Sequence, residues 1–376
     1  MRKLTTGTND PAPRRSRASD GNAGREPGYA LPYLRTSRAP ARPRASAPIR
    51  DEETVMKTLS LMTAAAAVAL AAAPAAADVR VERVAFESGG ERIVGDLYLP
   101  DGYRAGTRLP ALVVTGAWMT VRQQMPARYA REMADRGFAA LTFDFRGWGE
   151  SAGARRQLED PAAKVADIQA AVRYLATRPE ADPDRIGGLG ICASSGYMVT
   201  AAAANPTVRS VALVAPWLQD AQVVAETYGG AEGVAKLRAA GEAAERAFRD
   251  TGRQTLVPAA SLTDDRAVMF KVPYYTEADR GMIAAWRNEA DPAFWGGWLS
   301  FDAIQVAPRL TKPFMMVHSE AAAIPQGAHR FYAQLASPAK RELWLKDVGQ
   351  LDFYDRPAPV KASSDAVAGH FRDTLK

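Results

Sequence analysis

Residues 188–196 read GLGICASSG, and this stretch decides the fold. The residues before it have the apolar composition of a buried strand, whereas residues 193–205 have the composition of a helix. A chain that turns sharply from strand into helix has room only for small residues two positions before and two positions after the apex. Gly190 and Ser194 occupy those positions. The sequence therefore predicts a strained turn that presents the thiol of Cys192 above the edge of a sheet.

Apolar runs of strand length alternate with helical patterns on both sides of this turn. The expected strands are residues 80–86, 93–99, 109–115, 138–145, 185–191, 210–215, 312–319 and 341–345, and the expected helices are 126–136, 161–177, 193–205, 327–335 and a last one from 361. The first two strands predict a hairpin, and the later alternation is typical of a parallel sheet with helices on both faces. We therefore predict an α/β protein with a doubly wound, mostly parallel sheet.

The alternation stops between about residues 216 and 308. Helical segments such as residues 233–249 occur there, and the stretch is too long for a loop and too poor in strand patterns for a second sheet. We predict a helical cap inserted between two strands of the sheet. Five aromatic residues in it indicate either an apolar ligand or packing within the cap: Tyr274, Tyr275, Trp286, Trp295 and Trp298.

The N-terminal part of the chain differs in composition from the rest. Residues 1–55 contain Pro, Ser, Ala, Gly and Arg without an apolar period, which predicts disorder, and a translation start at Met56 would account for them most simply. Residues 56–77 have a basic start, an uncharged apolar run and a closing Ala-Ala-Ala, which are the parts of a signal peptide. A transmembrane helix is the weaker alternative because Pro74 interrupts an Ala-rich run. We therefore expect residues 78–376 to form one domain in the periplasm or outside the cell.

The charges divide in the same way. The 376-residue chain carries 48 Lys and Arg against 42 Asp and Glu, a net charge of +6. Residues 1–57 hold 12 of the basic and 6 of the acidic residues, which leaves 36 of each in residues 78–376. A domain without net charge has no electrostatic reason to bind nucleic acid or an anionic membrane. We expect a small molecule as its partner, no nucleic acid, and no stable membrane insertion after signal cleavage.

Cysteine and histidine are both scarce. Cys192 is the single cysteine, so it cannot form a disulfide within the chain and is a candidate reactive thiol. The three histidines, His318, His329 and His370, show no spacing typical of metal ligands. We therefore expect no metal site and no cofactor.

Three further stretches accompany the turn at Cys192: TGAW at residues 115–118, FDFRGWGES at 143–151 and DFYD at 352–355. With these motifs, residues 79–376 resemble the α/β-hydrolase superfamily. The Gly-x-Cys-x-Ser turn is similar to the cysteine-nucleophile branch, which includes dienelactone hydrolases and relatives of fungal polyketide transferases. The resemblance is specific for the fold and less specific for any one reaction.

The turn and the resemblance together predict a site. Cys192 would be the nucleophile, with its thiolate favoured by the helix N-terminus that follows it. The backbone N–H of Ala193 would be one oxyanion donor, and the resemblance implies a second donor at Ala117 or Trp118, unless Trp118 is a pocket wall. Further candidates for substrate contact are Arg146, Trp148, His318 and Tyr354, of which Arg146 and Trp148 could equally well only shape a turn.

The sequence departs from the family pattern at the other two catalytic positions. The resemblance implies an acid just after His318, where the chain has Glu320 followed by three alanines, and a histidine base in residues 348–355, where Gln350 stands. Glutamine cannot bind a proton near neutral pH, so Gln350 and Glu320 would position substrate or water. His318 is either an alternative base or a structural histidine. We expect His329 and His370 to lie on helix surfaces.

Two functions follow from this pattern. The first is a cysteine-dependent hydrolase or acyltransferase acting on a small ester, lactone or thioester, since a thiol needs less help from a base than a hydroxyl does. The second is a non-catalytic protein that binds a small apolar ligand in the remaining pocket. A lyase or isomerase is a third possibility, because the fold alone does not determine the chemistry.

Overall fold

The computed structural model describes residues 79–376. The predictions for residues 1–55 and 56–77, including the signal peptide, lie outside the described residues. In the part of the chain that is described, none of the helices combines the length and apolarity that a membrane span needs.

The described residues form a mixed sheet whose strands are mostly parallel. The strands are β1 (Arg80–Ser88), β2 (Glu91–Leu99), β3 (Leu109–Thr115), β4 (Ala139–Phe143), β5 (Ala181–Ile191), β6 (Val208–Val214), β7 (Ala260–Ser261), β8 (Met269–Phe270), β9 (Phe314–His318) and β10 (Lys340–Trp344). Within residues 79–376, eight of them make one sheet in the order β1-β2-β4-β3-β5-β6-β9-β10, and β7 pairs with β8 separately. β2 is antiparallel to both of its neighbours, and β4, β3, β5, β6, β9 and β10 are parallel.

Helices cover both faces of this sheet. The α-helices in chain order are α1 (Met125–Ala134), α2 (Pro161–Ala176), α3 (Ser194–Ala204), α4 (Ala221–Thr227), α5 (Gly230–Thr251), α6 (Phe294–Ser300), α7 (Pro325–Gln334), α8 (Asp352–Asp355) and α9 (Pro357–Thr374), and of these α4, α5 and α6 lie in the segment between β6 and β9. A Cβ atom added at Gly187 would meet Phe371 of α9, and one added at Gly188 would meet Met198 of α3. Successive residues of a strand point to opposite faces, so β5 is covered on both sides.

The predicted α/β architecture is confirmed, with element ends shifted by a few residues. The strand predicted at residues 138–145 ends at Phe143, and β5 begins four residues earlier than predicted, at Ala181. The last helix begins at Pro357 rather than at residue 361, and α8 just before it was not predicted. The prediction of a surface position for His370 was wrong, because this side chain is buried and forms a hydrogen bond with Ser210 (2.8 Å).

The early end of the β4 strand has a physical cause in a buried ion cluster. The Asp144 carboxylate accepts the backbone N–H of Arg122 (2.7 Å) and that of Glu150 (2.9 Å), and it pairs with the Arg122 guanidinium. Arg122 is fully buried and also binds Asp96 (2.9 Å) and Glu150 (2.8 Å). The cluster ties the loop after β3 to the turn at residues 144–151.

The segment between β6 and β9 forms the cap. It contains α4, α5 and α6, two short 3₁₀ turns at Pro273–Tyr275 and Ile304–Arg309, and the small β7–β8 pair. It is therefore mostly helical but not wholly so, because β7 and β8 pair as two-residue strands. The cap lies over the turn at Cys192, since Met269 and Trp298 of this segment share a cavity with that residue.

The turn at Cys192 should not tolerate a larger residue at Gly190. A Cβ atom there would lie 2.8 Å from Ser195 Cα and 3.0 Å from Met198 Cβ, so Gly190→Ala requires the backbone of the turn to shift. We expect it to lower the free energy of unfolding by about 1–3 kcal/mol, measured by denaturant unfolding.

Gly369→Ala is the matched control for Gly190→Ala. A Cβ atom at Gly369 meets nothing within 4 Å, and the position lies inside α9, so alanine should be neutral or stabilising. Equal stability losses in the two variants would contradict a steric requirement at the turn.

Candidate active site

Cys192 lies at the apex of the turn between β5 and α3. Its φ of 54° is in the left-handed region, which a non-glycine residue adopts only when its surroundings hold it there. Those surroundings are hydrogen bonds: its N–H donates to the Val214 carbonyl (3.1 Å), and its carbonyl accepts from Ser195 (3.0 Å) and Trp217 (2.9 Å). The strand-to-helix geometry predicted from the sequence is therefore present, and 6 % of the cysteine is exposed.

Hydrogen-bond donors surround the sulfur. The backbone N–H groups of Ala193 and Trp118, the Tyr354 hydroxyl and the Gln350 side-chain amide all hydrogen-bond to Cys192 and lower the pKa of its thiol. Burial raises that pKa by more than these bonds lower it, so the pKa lies above its ordinary value. The N–H of Ala193 at the helix start favours the thiolate as expected, but burial outweighs it in this closed, desolvated site.

Ala117 and Trp118, the two alternatives for the second oxyanion donor, are distinguished by their backbone contacts. The N–H of Ala117 donates to Met125 Sδ (3.5 Å) and so points away from the nucleophile. The N–H of Trp118 faces the sulfur instead, and the Trp118 side chain lines the same cavity. The N–H groups of Ala193 and Trp118 therefore converge on one point, which is the arrangement of an oxyanion hole.

Gln350 is held in one orientation by three hydrogen bonds. Its Oε1 accepts from the backbone N–H of Ala323 (3.0 Å), and its Nε2 donates to the Ala215 carbonyl (2.9 Å) and to Tyr354 Oη (3.2 Å). A backbone N–H requires an acceptor and a carbonyl requires a donor, so the amide cannot be turned over without losing both contacts. Gln350 thus presents only N–H groups toward the cavity.

The cavity beside Cys192 is small and apolar. A water-sized sphere can be centred in about 20 Å³ of it, which is room for about one water molecule. Its lining comes from the sheet edge, the cap and the C-terminal loop: Trp118, Cys192, Ala193, Trp217, Met269, Val272, Tyr275, Trp298, Gln350, Leu351 and Tyr354. Among the described residues, no Asp, Glu, Lys, Arg or His lines this cavity.

The loop that carries Trp118 is fixed by a buried ion pair that the sequence analysis missed. Glu159 accepts the N–H of Met119 (3.0 Å) and the Tyr197 hydroxyl (2.8 Å), and it pairs with Lys164 (2.7 Å). All of these groups are buried, and Met119 has a φ of 57°. Glutamate and lysine are mostly exposed in folded proteins, so only the structure could have shown that this pair is buried.

Glu320 and His318 lie outside the cavity. The Glu320 side chain is 70 % exposed and pairs with His329 (2.8 Å), so it does not reach Cys192 as a triad acid would. His318 is fully buried with its ring 5.2 Å from that of Trp344, and burial lowers its pKa to about 3. An imidazole that binds a proton so weakly and lies outside the cavity is not an alternative base, which leaves the structural role for His318. Neither His318 nor Glu320 contacts the cavity, so their predicted parts in the site do not match the structure.

Arg146 and Trp148 also lie away from the cavity and shape the turn after β4. Arg146 binds Asp167 through its backbone N–H (2.9 Å) and through Nε (2.8 Å). Trp148 is buried and donates from Nε1 to the Leu158 carbonyl (3.1 Å). Of the two interpretations open for this motif, its contacts support turn formation rather than substrate contact.

Breaking the buried Glu159–Lys164 pair should destabilise the folded state strongly. Replacing the lysine by methionine leaves the Glu159 carboxylate buried without a counter-charge, so Lys164→Met should lower the free energy of unfolding by about 3–5 kcal/mol. Lys361→Met breaks the exposed pair with Asp365 and is the control, with little effect expected. Chemical denaturation of both variants measures this, and similar losses would contradict a special role for the buried pair.

The raised pKa of the Cys192 thiol predicts slow alkylation in the native protein. Near neutral pH the folded chain should react with iodoacetamide at least about tenfold more slowly than the same chain in denaturant. The native rate should keep rising with pH beyond the ordinary thiol pKa of 9.0. The chain has one cysteine, so mass spectrometry reads the reaction directly; faster labelling of the native protein would contradict this description of the site.

Comparison with known proteins agrees with this architecture. A family model described as X-Pro dipeptidyl-peptidase (S15 family) matches residues 89–349. The uncharacterized protein PA2218 of Pseudomonas aeruginosa is 29 % identical over 315 residues, 80 % of this chain and 83 % of that protein. Its crystal structure superimposes with a TM-score of 0.69 at 28 % identity, covering 80 % of this chain and 95 % of that one.

Two further relatives extend the comparison. The uncharacterized protein YcjY of Escherichia coli K12 is 26 % identical over 290 residues, 74 % of this chain and 93 % of that protein. The polyketide transferase claH of Penicillium crustosum is 34 % identical over 136 residues, 36 % of this chain and 44 % of the transferase. With its eight-stranded sheet within residues 79–376 and the S15 match over most of its length, this chain is an α/β hydrolase that belongs to the S15 family.

Proposed function

We propose that this protein is a cysteine-dependent enzyme that hydrolyses or transfers small acyl groups, with Cys192 as the nucleophile. The observation that carries the proposal is the position of the sulfur, on a strained turn beside a cavity and facing two backbone N–H groups. A structural cysteine has no need of a left-handed backbone or of converging amides. The proposed reaction breaks an ester-type bond, as in other α/β hydrolases, and the attacking group is the thiol of Cys192.

The first half of the reaction follows from the geometry. The sulfur attacks the acyl carbon, and the carbonyl electron pair moves onto the oxygen as the C–S bond forms. The thiol proton is lost from the sulfur in this half and ends on the released leaving group. The N–H groups of Ala193 and Trp118, which face the sulfur, would stabilise the negative charge that develops on the oxygen beside it. Their positions are set in advance by the turn and by the Glu159 contact to Met119, so no reorganisation is needed when the charge appears.

The cavity lining favours an uncharged acyl group. Three tryptophans and two tyrosines line it, and no ionised side chain of the described residues does. A dipeptide released from a peptide N-terminus carries an ammonium group, which would need a carboxylate partner in a desolvated site. We therefore propose an ester or thioester rather than a peptide as the substrate, in spite of the peptidase name of the family.

Among these, a thioester suits the site best. A thiolate leaves without receiving a proton, whereas an alkoxide must be protonated as it departs, and Gln350 stands where the usual proton-transfer histidine would be. The name of claH, a polyketide transferase, agrees with a group-transfer reaction. Since the cavity holds about one water molecule, cap residues such as Met269 and Tyr275 must move to admit substrate.

A non-catalytic ligand-binding protein is the second candidate. The observation in its favour is that, among the described residues, no carboxylate or imidazole lines the cavity to take up the thiol proton. This alternative predicts that apolar esters raise the melting temperature without being turned over.

We also propose that the protein is exported to the periplasm or the medium. N-terminal sequencing of the exported protein tests this, and we expect the mature chain to begin at Asp78.

Substitution of Cys192 tests the enzymatic proposal. The full chain and Cys192→Ala are assayed with acyl thioesters and p-nitrophenyl esters of graded chain length, and intact mass is recorded after rapid quenching. We expect an acyl adduct in the parent chain that is absent from the variant, and a loss of turnover of at least about 100-fold in the variant. Equal turnover of the two proteins would reject the proposal, and ligand stabilisation without turnover would favour the binding protein.

A further inference from the structure

We propose that Tyr354 is the proton-transfer residue of this site and does the work of the missing histidine through its phenol. The inference rests on the proposed function, because it assigns the proton that Cys192 must lose and the leaving group must gain. It goes beyond substrate contact, the role that the sequence indicated for Tyr354.

The direction of one hydrogen bond makes the phenol proton available. One N–H of the Gln350 amide group donates to the Ala215 carbonyl (2.9 Å), and the other faces both Tyr354 Oη (3.2 Å) and the Cys192 sulfur. Tyr354 is therefore the acceptor in its contact with Gln350, and its own O–H points elsewhere. The cysteine sulfur lies beside this hydroxyl, and both groups line the cavity. Gln350 thus acts as a positioning residue that leaves the Tyr354 proton free to be donated within the cavity.

The phenol is also held rigidly. Tyr354 belongs to α8, and Arg280 from the cap binds that segment on both sides of it, through Asp355 (2.6 and 2.7 Å) and the Leu351 carbonyl (3.1 Å). The Tyr274 ring packs against the Tyr354 ring in an edge-to-face arrangement with a centroid distance of 5.1 Å. A proton donor must stay within hydrogen-bond reach of the reacting atoms, and these contacts keep it there.

The proposed step moves one proton through the phenol. As the sulfur of Cys192 bonds to the acyl carbon, the thiol proton passes to Tyr354 Oη, and the original Oη proton passes to the leaving oxygen as the C–O bond breaks. In the second half, water bonds to the acyl carbon and gives a proton to Oη, while the Oη proton returns to the departing sulfur. Each half begins and ends with a neutral phenol and needs no further reactant than water.

The electrostatics of the site agree with such a relay. Burial raises the pKa of Tyr354 well above its ordinary value, and burial also raises the pKa of the Cys192 thiol. Neither a free phenolate nor a free thiolate is stable there, so a transfer in which both protons move together avoids the two costly ions. The Tyr354 hydroxyl can accept one proton and release another in the same step. The amide of Gln350 cannot, because it neither gains nor loses a proton near neutral pH.

Tyr354→Phe with two leaving groups tests the relay. p-Nitrophenolate can leave as an anion, whereas ethoxide must be protonated as it leaves. A proton donor therefore matters more for an ethyl ester than for the p-nitrophenyl ester of the same acid. We expect kcat/KM to fall by about 100-fold for the ethyl ester and by less than about tenfold for the nitrophenyl ester. Equal losses for both esters would show a structural role and overturn the inference.

Tyr275→Phe is the matched control. Tyr275 lines the same cavity, but its hydroxyl contacts the Trp118 carbonyl (3.4 Å) and not the sulfur, so any loss should be equal for the two esters. If Tyr354→Phe does not fold, solvent isotope effects on the parent chain decide: a larger effect for the ethyl ester supports the relay, and equal effects contradict it.

These outcomes separate the relay from the function on which it rests. Retained turnover in Cys192→Ala removes the nucleophile and with it both proposals. Loss of turnover and of the acyl adduct in Cys192→Ala, together with an unselective Tyr354→Phe, removes only the relay and leaves the cysteine enzyme standing.

Discussion

The structure of this site depends on one constraint, the left-handed backbone of Cys192 at the end of β5. That conformation aims the sulfur out of the sheet edge and the next N–H, that of Ala193, toward the same space. It is possible only because Gly190 leaves room for Ser195 directly above it, and because the Cys192 carbonyl is satisfied by Ser195 and Trp217. Parallel neighbours then bring the loops after β3 and β6 to the same edge, which is where such sheets place their sites.

The chemical character of the site follows from what surrounds the sulfur. Two backbone amides, a phenol and a carboxamide donate hydrogen bonds to Cys192, and desolvation keeps its thiol protonated. This environment is well suited to hold negative charge on a reacting oxygen and poorly suited to generate a free thiolate. The chemistry that fits is acyl transfer in which proton movement accompanies bond formation, or transfer from a thioester, whose leaving group asks for no proton.

Two buried charge clusters support this site from behind. Arg122 with its carboxylates ties the loop after β3 to the turn after β4, and Glu159 with Lys164 holds the N–H of Met119. Burying ion pairs does not by itself make a protein more stable than apolar packing would. What both clusters do is specify the path of the loop that carries Trp118, and so the position of an oxyanion donor.

The sequence by itself determined the architecture and the apex residue. Strand and helix periods, and the requirement for small residues around a sharp turn, are local properties, so the α/β sheet and the turn at Cys192 could be derived from nearby residues. The missing base at Gln350 was indicated by the family resemblance. The cap was placed correctly by elimination, although its short β-strand pair was not foreseen. The family pattern also brought Trp118 and Tyr354 into consideration.

Tertiary structure alone decided the rest, because burial and long-range pairing have no local signature. The choice of the Trp118 amide over that of Ala117 depends on a contact with Met125 Sδ, and the raised thiol pKa depends on the closed cap. Glu320 lies at the surface in contact with His329. Lys164 is buried in an ion pair with Glu159, although a lysine is ordinarily expected in solvent. Desolvation is a property of the assembled molecule, so no stretch of sequence could have shown which of these groups would lose their water.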